Sequence, residues 1–576
     1  MTEPLFTFAV FTDTHIRAPE GDLSSPYAVN TKANARAEVA AALVAAQNPA
    51  LTIHLGDMVH PLPHMAAYEP ACQEARRVFA CLEPNLHFVP GNHDIGDKPH
   101  DASPAGAVTP DAVAAYSGQF GDQWSHVDHG DCRFVLINSS IVGSGLDVEQ
   151  EQFDWLEQVL ATDKRTFLFS HYPLFIDSVD EDEHYDNYGL QGRTRLLEVI
   201  ERHGVEAVLS GHVHQFFYNR AGETKFYCLP ATSFTRQDFA ELYNAGPEAE
   251  FGRNDRGKFG IMLVDVFTDG HRLRFVPTGG AESDAVVDMS QRKPPANSGL
   301  VPFMRHAWYQ SRDLPYTGAM EEFSRKRARN DYPLLRLWQM GIETVRTPLA
   351  DLARPESLRR VQDFAATGIR FHMFTTSMPD ERMLELIAAN RDALAGLEIV
   401  QVEPDLARVK EIAKALMKTV DVPLYVSRAA TSADNAVEGQ IYAHNVWTGY
   451  RYARRAEILD GLADTGLPLR PIFAVGWRAD WLGKIGGLQD AFEHRGIEGA
   501  VAVQLMTGSP ATANFDDDYI VESVAELVRG RARHPRVTVM LDTFETIDRG
   551  YNPRHGLIDR LGNLTPAGRS LTLSRD

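Results

Sequence analysis

Between residues 5 and 214, five short and mostly apolar runs each stop at a polar motif. Leu5–Phe11 stops at Asp13-x-His15, Leu51–Leu55 at Gly56-Asp57, Leu86–Val89 at Gly91-Asn92-His93-Asp94, Thr166–Phe169 at His171, and Val205–Leu209 at Gly211-His212-Val213-His214. Runs of this length read as buried strands. Helical periodicity separates several of them, at Asn34–Ala46, Cys72–Leu82, Gln150–Leu160 and Thr194–His203, and Arg133–Ile137 reads as one more strand. Strands alternating with helices predict an α/β fold, in which the loops beyond the carboxyl ends of the strands meet in one crevice. The five motifs are therefore expected to share a site.

From Phe226 the pattern turns to strands without long helices, and Gly260–Val266 and Arg272–Val276 read as a hairpin across Thr268-Asp269-Gly270. Gly279–Gly299 is small, polar and rich in Pro and Gly, which marks a linker. The expected organisation is a domain over residues 1–285, a linker over 286–299 and a second domain over 300–576. In the second half, strand-like runs recur at Glu343–Thr347, Arg370–Thr375, Glu398–Val402, Pro423–Ser427, Asn445–Gly449, Pro471–Gly476, Gly499–Leu505 and Arg536–Leu541, alternating with helix-like segments. Eight such units suit a (β/α)8 barrel, although a doubly wound sheet has the same alternation.

Charge narrows the partners. The 576-residue chain has 57 Lys and Arg against 78 Asp and Glu, a formal net charge of −21, which disfavours general nucleic-acid binding and anionic membranes. No apolar run approaches the ~20 residues a membrane helix needs, and a soluble, cytoplasmic protein is expected. Cys72, Cys81, Cys132 and Cys228 form no CxxC pair and read as buried free thiols.

Carboxylate, imidazole and amide oxygen donors suit Mn, Fe, Zn or Ni, and a motif set without thiolates argues against a closed structural zinc site. Two ions need about seven or eight ligand contacts, with one ligand shared at a separation of roughly 3.5–4 Å. The motifs supply that number. The ordered set DxH, GD, GNH, H and GHxH resembles the calcineurin-like metallophosphoesterase superfamily over roughly residues 1–280. The resemblance implies a four-layer αββα sandwich and two divalent or trivalent transition-metal ions (Mn, Fe or Zn). It puts Asp13, His15 and His214 on one ion, Asn92, His171 and His212 on the other, and Asp57 between them. It also implies a bridging hydroxide that attacks phosphorus in line, with His93 as general acid or charge stabiliser and Asp94 orienting its second nitrogen.

The segments GDMVHPLP (Gly56–Pro63), GNHDIGDKP (Gly91–Pro99) and HYPLFIDSVDEDEHYDN (His171–Asn187) are similar to the branch described as serine/threonine phosphatases. Phosphodiesterase branches share the same ligands. Residues placed to choose a small-molecule phosphoester are Arg17, Tyr185, Asn187, Tyr188 and Arg193, since arginine can hold a phosphate oxygen bidentately and tyrosine can stack on a base or sugar. A large appended domain offers a second substituent on phosphorus a place to bind, which favours a phosphodiester over a monoester or phosphoprotein.

In the second domain, polar groups past the strand ends are His372, Glu403, Arg428, His444, Trp477, Arg478, Gln504, Asp542 and Glu545. The stretch Asp548–Gly568 is similar to the end of some glycosidase-like barrels. Retaining glycosidases carry their carboxylates after strands four and seven, which by this count end near Arg428 and Gln504. A non-catalytic barrel is expected, serving recognition, cover or a homo-oligomer interface. The remaining alternative is a carbohydrate- or protein-binding protein whose first domain is only a metal-stabilised scaffold.

Overall fold

The structure is a computed structural model and describes residues 3–99, 106–243, 246, 249–282, 297–316, 320–402, 405–430, 448–476, 479–505, 517–546 and 555–572. The chain divides into two units, Met1–Arg292 with Ser311–Leu335, and Lys293–Gln310 with Arg336–Asp576. The 300–576 block is thus not continuous, because Ser311–Leu335 groups with the first unit. The linker expected at 286–299 falls mostly outside the described residues.

The first unit is a sandwich of two sheets. In the first sheet the strands are β1 (Phe6–Phe11), β2 (Thr52–His54), β3 (Leu86–Phe88) and the two hairpin strands numbered below. The second sheet holds β4 (Ser125–His129), β5 (Cys132–Leu136), β6 (Arg165–Ser170), β7 (Ala207–Ser210), β8 (Phe217–Ala221) and β9 (Thr224–Cys228). The hairpin strands are β10 (Gly260–Phe267) and β11 (Gly270–Pro277), and the sheet orders are β11-β10-β1-β2-β3 and β4-β5-β6-β7-β9-β8. Between the sheets, Phe8 meets Phe134, Phe167 and Phe169 edge to face, with ring centroids 5.0, 5.5 and 6.1 Å apart. Helices Ala33–Gln47 and Tyr68–Phe79 pack outside the first sheet. In the second of them Ala71, Cys72, Ala75, Val78 and Phe79 are buried, at the spacing of one helix face. Helices Asp147–Leu160 and Leu190–His203 cover the second sheet, so the layers run α, β, β, α as expected. Parallel pairing of β1, β2 and β3 and of β5, β6 and β7 brings their carboxyl ends to one edge. Three of the cysteines are buried, but Cys81 is exposed.

The first unit also includes a hairpin of β13 (Ser311–Pro315) and β14 (Arg325–Arg329), after β12 (Leu300–Pro302) of the second unit. Arg329 binds Asp177 Oδ1 at 3.0 Å, Asn219 Oδ1 at 2.6 Å and the carbonyl of Tyr218 at 2.9 Å, and Asp331 Oδ2 accepts from the Tyr218 amide. These are buried, charge-assisted bonds, the strong kind.

The second unit is an eight-stranded parallel barrel. Besides β12 it contains β15 (Thr344–Pro348), β16 (Arg370–Thr375), β17 (Leu394–Gln401), β18 (Leu424–Arg428), β20 (Leu469–Val475), β21 (Gly499–Gln504) and β22 (Val537–Asp542), while β19 (Tyr450–Arg451) pairs beside β20. The order is β12-β22-β21-β20-β18-β17-β16-β15, and a parallel bridge between Phe303 and Arg346 closes the ring. Val301, Ile472, Ala500, Ala502 and Met540 fill part of the interior. The strand count differs from the sequence expectation at one position. The first strand is Leu300–Pro302, too short and too close to the Pro/Gly-rich stretch to carry a pattern, and the run at Asn445–Gly449 lies mostly outside the described residues. Strand four is therefore β17, ending at Gln401, while strand seven still ends at Gln504. Glu403, His444, Trp477 and Arg478 lie outside the described residues. His372 is not past a strand end but inside β16, buried.

Candidate metal centre

Each polar motif sits where a strand ends and the backbone turns sharply. Asp13, His15, Asp57, His212 and His214 all have left-handed backbones, with φ of 52°, 47°, 53°, 67° and 56°. Such conformations cost of order 1–3 kcal/mol each for a residue with a Cβ, so the surrounding fold must hold them in place. Close packing of two loops is part of that hold. A Cβ on Gly56 would lie 2.6 Å from the Gly91 nitrogen, and a Cβ on Gly91 would lie 2.1 Å from the Asp57 nitrogen. Both glycines are required for the loop after β2 to touch the loop after β3.

The turns bring two sets of donors together. In the first, His15 Nε2 and His214 Nε2 stand 3.1 Å apart, with Asp13 Oδ1 3.1 Å from His214 Nε2 and Asp57 Oδ2 3.5 Å from His15 Nε2. In the second, Asn92 Oδ1 lies 2.9 Å from His171 Nε2 and 3.0 Å from His212 Nδ1, and Asp57 Oδ1 lies 3.4 Å from His171 Nε2. Asp57 presents one carboxylate oxygen to each set. All seven residues are buried. The far ring nitrogens are fixed by backbone carbonyls, His171 Nδ1 by Leu55 at 2.8 Å and His214 Nδ1 by Phe234 at 2.7 Å, which leaves each Nε2 unprotonated in the neutral ring and aimed inward. Asp13 Oδ1 is buried without a hydrogen-bond donor among the described residues. Converging lone pairs and an orphaned buried carboxylate oxygen fit cations and fit little else.

Burial, reinforced by neighbouring positive charge, pushes His15 and His212 well below the usual histidine range, toward the neutral form that ligates metal. Burial acts the same way on His171, but the Asp57 carboxylate overrides it and pushes His171 up to about 9. Burial raises Asp57, yet His171 and His93 together hold it well below the ordinary carboxylate range.

Residues 6–216 match the model of the calcineurin-like phosphoesterase family. They form a calcineurin-like phosphoesterase domain. The serine/threonine-protein phosphatase CPPED1 of Mus musculus is 30% identical over 177 residues, 29% of this chain and 54% of that protein. The chain thus spans about half the length of these phosphatase relatives. A Synechococcus protein named a probable cyclic nucleotide phosphodiesterase is 41% identical over 85 residues, 14% of this chain and 32% of its own. The solved intracellular xylanase of Thermoanaerobacterium saccharolyticum aligns with 48% of this chain and 98% of its own, at 10% identity and a TM-score of 0.32.

Around these donors the phosphoesterase domain places the other expected residues unevenly. The His93 amide donates to Asp57 Oδ1 at 2.9 Å, and its ring lies edge-on to His15 with centroids 4.7 Å apart. Its Nδ1 pairs with the carbonyl of His60, so His60 and not Asp94 orients it. Asp94 instead accepts the amides of Gly91 at 2.8 Å, Val59 at 3.2 Å and Met58 at 3.3 Å, clamping the Asp57 loop. Burial and the nearby Asp57 push Asp94 up to about 8. Tyr185 reaches the centre, its hydroxyl 3.2 Å from Asn92 Nδ2 and its ring centroid 5.0 Å from that of His212. Arg17 binds Asp22, while Asn187 and Arg193 are buried and bonded to Glu181, building the loop after His171. Tyr188 is buried against Ser170.

Sequence reading passed over four residues here. His60 Nδ1 lies 3.1 Å from His15 Nδ1, and its ring stacks on His93. Asp97 is within 3.2 Å of the Tyr172 hydroxyl and 3.4 Å of the Tyr185 hydroxyl. Asp186 lies 3.7 Å from His212 Nε2 and is itself held by Arg236 and by Lys326, whose Nζ is 2.7 Å away. His60, Asp97 and Asp186 fall inside the motif segments quoted above and were legible by position. Lys326 lies on the inserted hairpin and had no local signal.

Proposed function

We propose that the phosphoesterase domain hydrolyses a small organic phosphodiester at a dinuclear metal centre. The observation that carries hydrolysis is Asp57, with one oxygen in each of two buried donor sets that share no other residue. Asp13, His15 and His214 would hold one ion and Asn92, His171 and His212 the other, with Mn, Fe or Zn suited to the donors. Bound there, two such ions would supply Lewis-acid activation of water at neutral pH and neutralisation of phosphoryl charge.

The protein's own groups complete the reaction. With Nδ1 of His93 directed to the His60 carbonyl, Nε2 is the nitrogen that delivers a proton to the departing ester oxygen. His93 is half-exposed, unlike the ligands, as a group meeting substrate must be. Tyr185 sits beside Asn92 and contacts the substituent on phosphorus. The relative named a cyclic nucleotide phosphodiesterase supports the diester reading. A second reading, hydrolysis of a phosphomonoester or phosphoprotein, is favoured by the longer match to phosphatases. Gln504 at the end of strand seven, where a retaining glycosidase has a carboxylate, supports a non-catalytic barrel.

The test is turnover of bis(4-nitrophenyl) phosphate against 4-nitrophenyl phosphate by enzyme reconstituted with Mn, Fe or Zn. Higher kcat/KM on the diester supports the first reading and higher kcat/KM on the monoester the second. Hydrolysis of neither, at full metal content, overturns both.

A further inference from the structure

The centre has an arginine that neither motif nor family match points to. We propose that Arg253 holds a non-bridging oxygen of the phosphoryl group, in substrate and in released phosphate; the proposal rests on the phosphoester reading above.

The other arginines near the centre are already engaged. Arg17 is bound to Asp22, Arg193 to Glu181, and Arg236 to Asp186 and Asp238. Arg253 differs. Its guanidinium carbon lies 4.1 Å from the Tyr27 ring centroid and 4.0 Å from that of Phe234, so the cation rests over two aromatic rings. Phe234 in turn has its centroid 4.8 Å from the His15 ring and 4.6 Å from the His214 ring. One aromatic ring thus touches both Arg253 and two donors of the first set.

Among the described residues, its one side-chain hydrogen bond runs from Nε to Asn30 Oδ1 at 3.3 Å, and no carboxylate lies within ion-pair distance. A guanidinium resting over two rings, with no acceptor on its terminal nitrogens among the described residues, is pre-organised for a phosphate oxygen.

The loop that presents Arg253 is held against strain. Glu250 and Phe251 both have φ of 57°, which costs a residue with a Cβ of order 1–3 kcal/mol. The Arg253 amide donates to the Glu250 carbonyl at 3.1 Å, and Glu250 Oε2 accepts the Val29 amide at 3.2 Å. With the Tyr27 and Asn30 contacts, three ties hold the loop to Tyr27–Asn30. Arg253 lies beyond residue 216, so this chain supplies it from outside the segment that matches the family.

The experiment is calorimetric titration of inorganic phosphate into full-length, metal-reconstituted protein, for the wild type, Arg253→Lys and Arg253→Met, with KM for bis(4-nitrophenyl) phosphate measured in parallel. Methionine keeps the packing against the rings and removes the charge; lysine keeps the charge and loses the fork. Phosphate Kd is expected to weaken about 10- to 100-fold in Arg253→Met, less in Arg253→Lys, at unchanged metal content and melting temperature. If Arg253→Met does not fold, the lysine variant carries the test, and a weaker Kd at full metal content supports the proposal. Wild-type phosphate affinity in either folded variant, or no phosphate binding by the wild type, overturns it. Phosphate binding lost in Arg253→Met by a wild type that hydrolyses no ester would fail the phosphoester reading and leave Arg253 standing. Normal hydrolysis with unchanged phosphate Kd would do the reverse.

Discussion

Both units bury a knot of charged and polar side chains at the ends or in the bore of parallel strands, but the two knots are completed differently. In the barrel, Glu398 on β17 takes Arg346 Nε at 2.6 Å and Nη2 at 3.0 Å, His372 Nε2 at 3.2 Å and Ser427 Oγ at 2.5 Å. Arg346 holds its carboxyl well below the ordinary glutamate range against the upward push of burial. The Glu398 carboxylate thus takes four donors from its own barrel, one guanidinium among them, and its charge is balanced from within. In the phosphoesterase domain, lone pairs from Asp13, His15 and His214 point at one another, and Asp13 Oδ1 has no donor among the described residues. A buried polar cluster that balances its own charge braces a fold, whereas one that leaves acceptors facing each other needs a cation from outside.

The sharpest way to break this contrast is Asp57→Asn, which removes charge shared by both donor sets. Turnover should fall roughly 10³-fold and metal content, by elemental analysis, should drop below two ions per chain. Full activity at full occupancy would defeat the bridging assignment. The matching change in the barrel, Glu398→Gln, should leave kcat on the nitrophenyl esters intact and destabilise the barrel by about 3–5 kcal/mol, read from its denaturant midpoint, because Arg346 loses its buried partner. Acid should do the same by titration. Glu398 has a folded value below its unfolded one, so its contribution is complete above the unfolded value of ~4.3 and is lost as pH falls through the folded value. Barrel unfolding that is flat with pH below 4, followed by fluorescence, would contradict the network. A smaller effect is expected from His60→Ala, which removes the imidazole behind His15 and the ring stacked on His93 while keeping the backbone carbonyl that His93 Nδ1 meets. Metal affinity or activity should fall about 10- to 100-fold, and an unaltered titration with Mn would make His60 a bystander.

Much of the site was legible because metal ligation demands particular atoms at the ends of strands. Asp13, His15, Asp57, Asn92, His171, His212 and His214 were named from five motifs, and the structure gathers all seven. The roles of their neighbours were less legible. Asp94 follows His93 in sequence, yet a short helix over Asn92–Ile95 turns its carboxylate toward the amides of Gly91, Met58 and Val59. Arg17 and Arg193 have the chemistry for phosphate, but Asp22 and Glu181 claim them, and sequence spacing does not reveal such pairings. In the barrel, seven strand-like runs carry enough β-branched and apolar residues to be read directly. The three-residue strand Leu300–Pro302 does not, and it is a strand only because β22 pairs with it.

What the sequence determined by itself is the alternation of strand and helix and the donor types at the strand ends, since both follow from local hydrophobic period and elementary coordination chemistry. Tertiary structure decided which arginine near the centre lacks a carboxylate partner among the described residues, which residue stands behind each histidine, and that Ser311–Leu335 returns to the first unit to set Lys326 against Asp186. Those outcomes depend on contacts between residues far apart in the chain, where burial makes each polar group take whichever partner the folded backbone brings within reach.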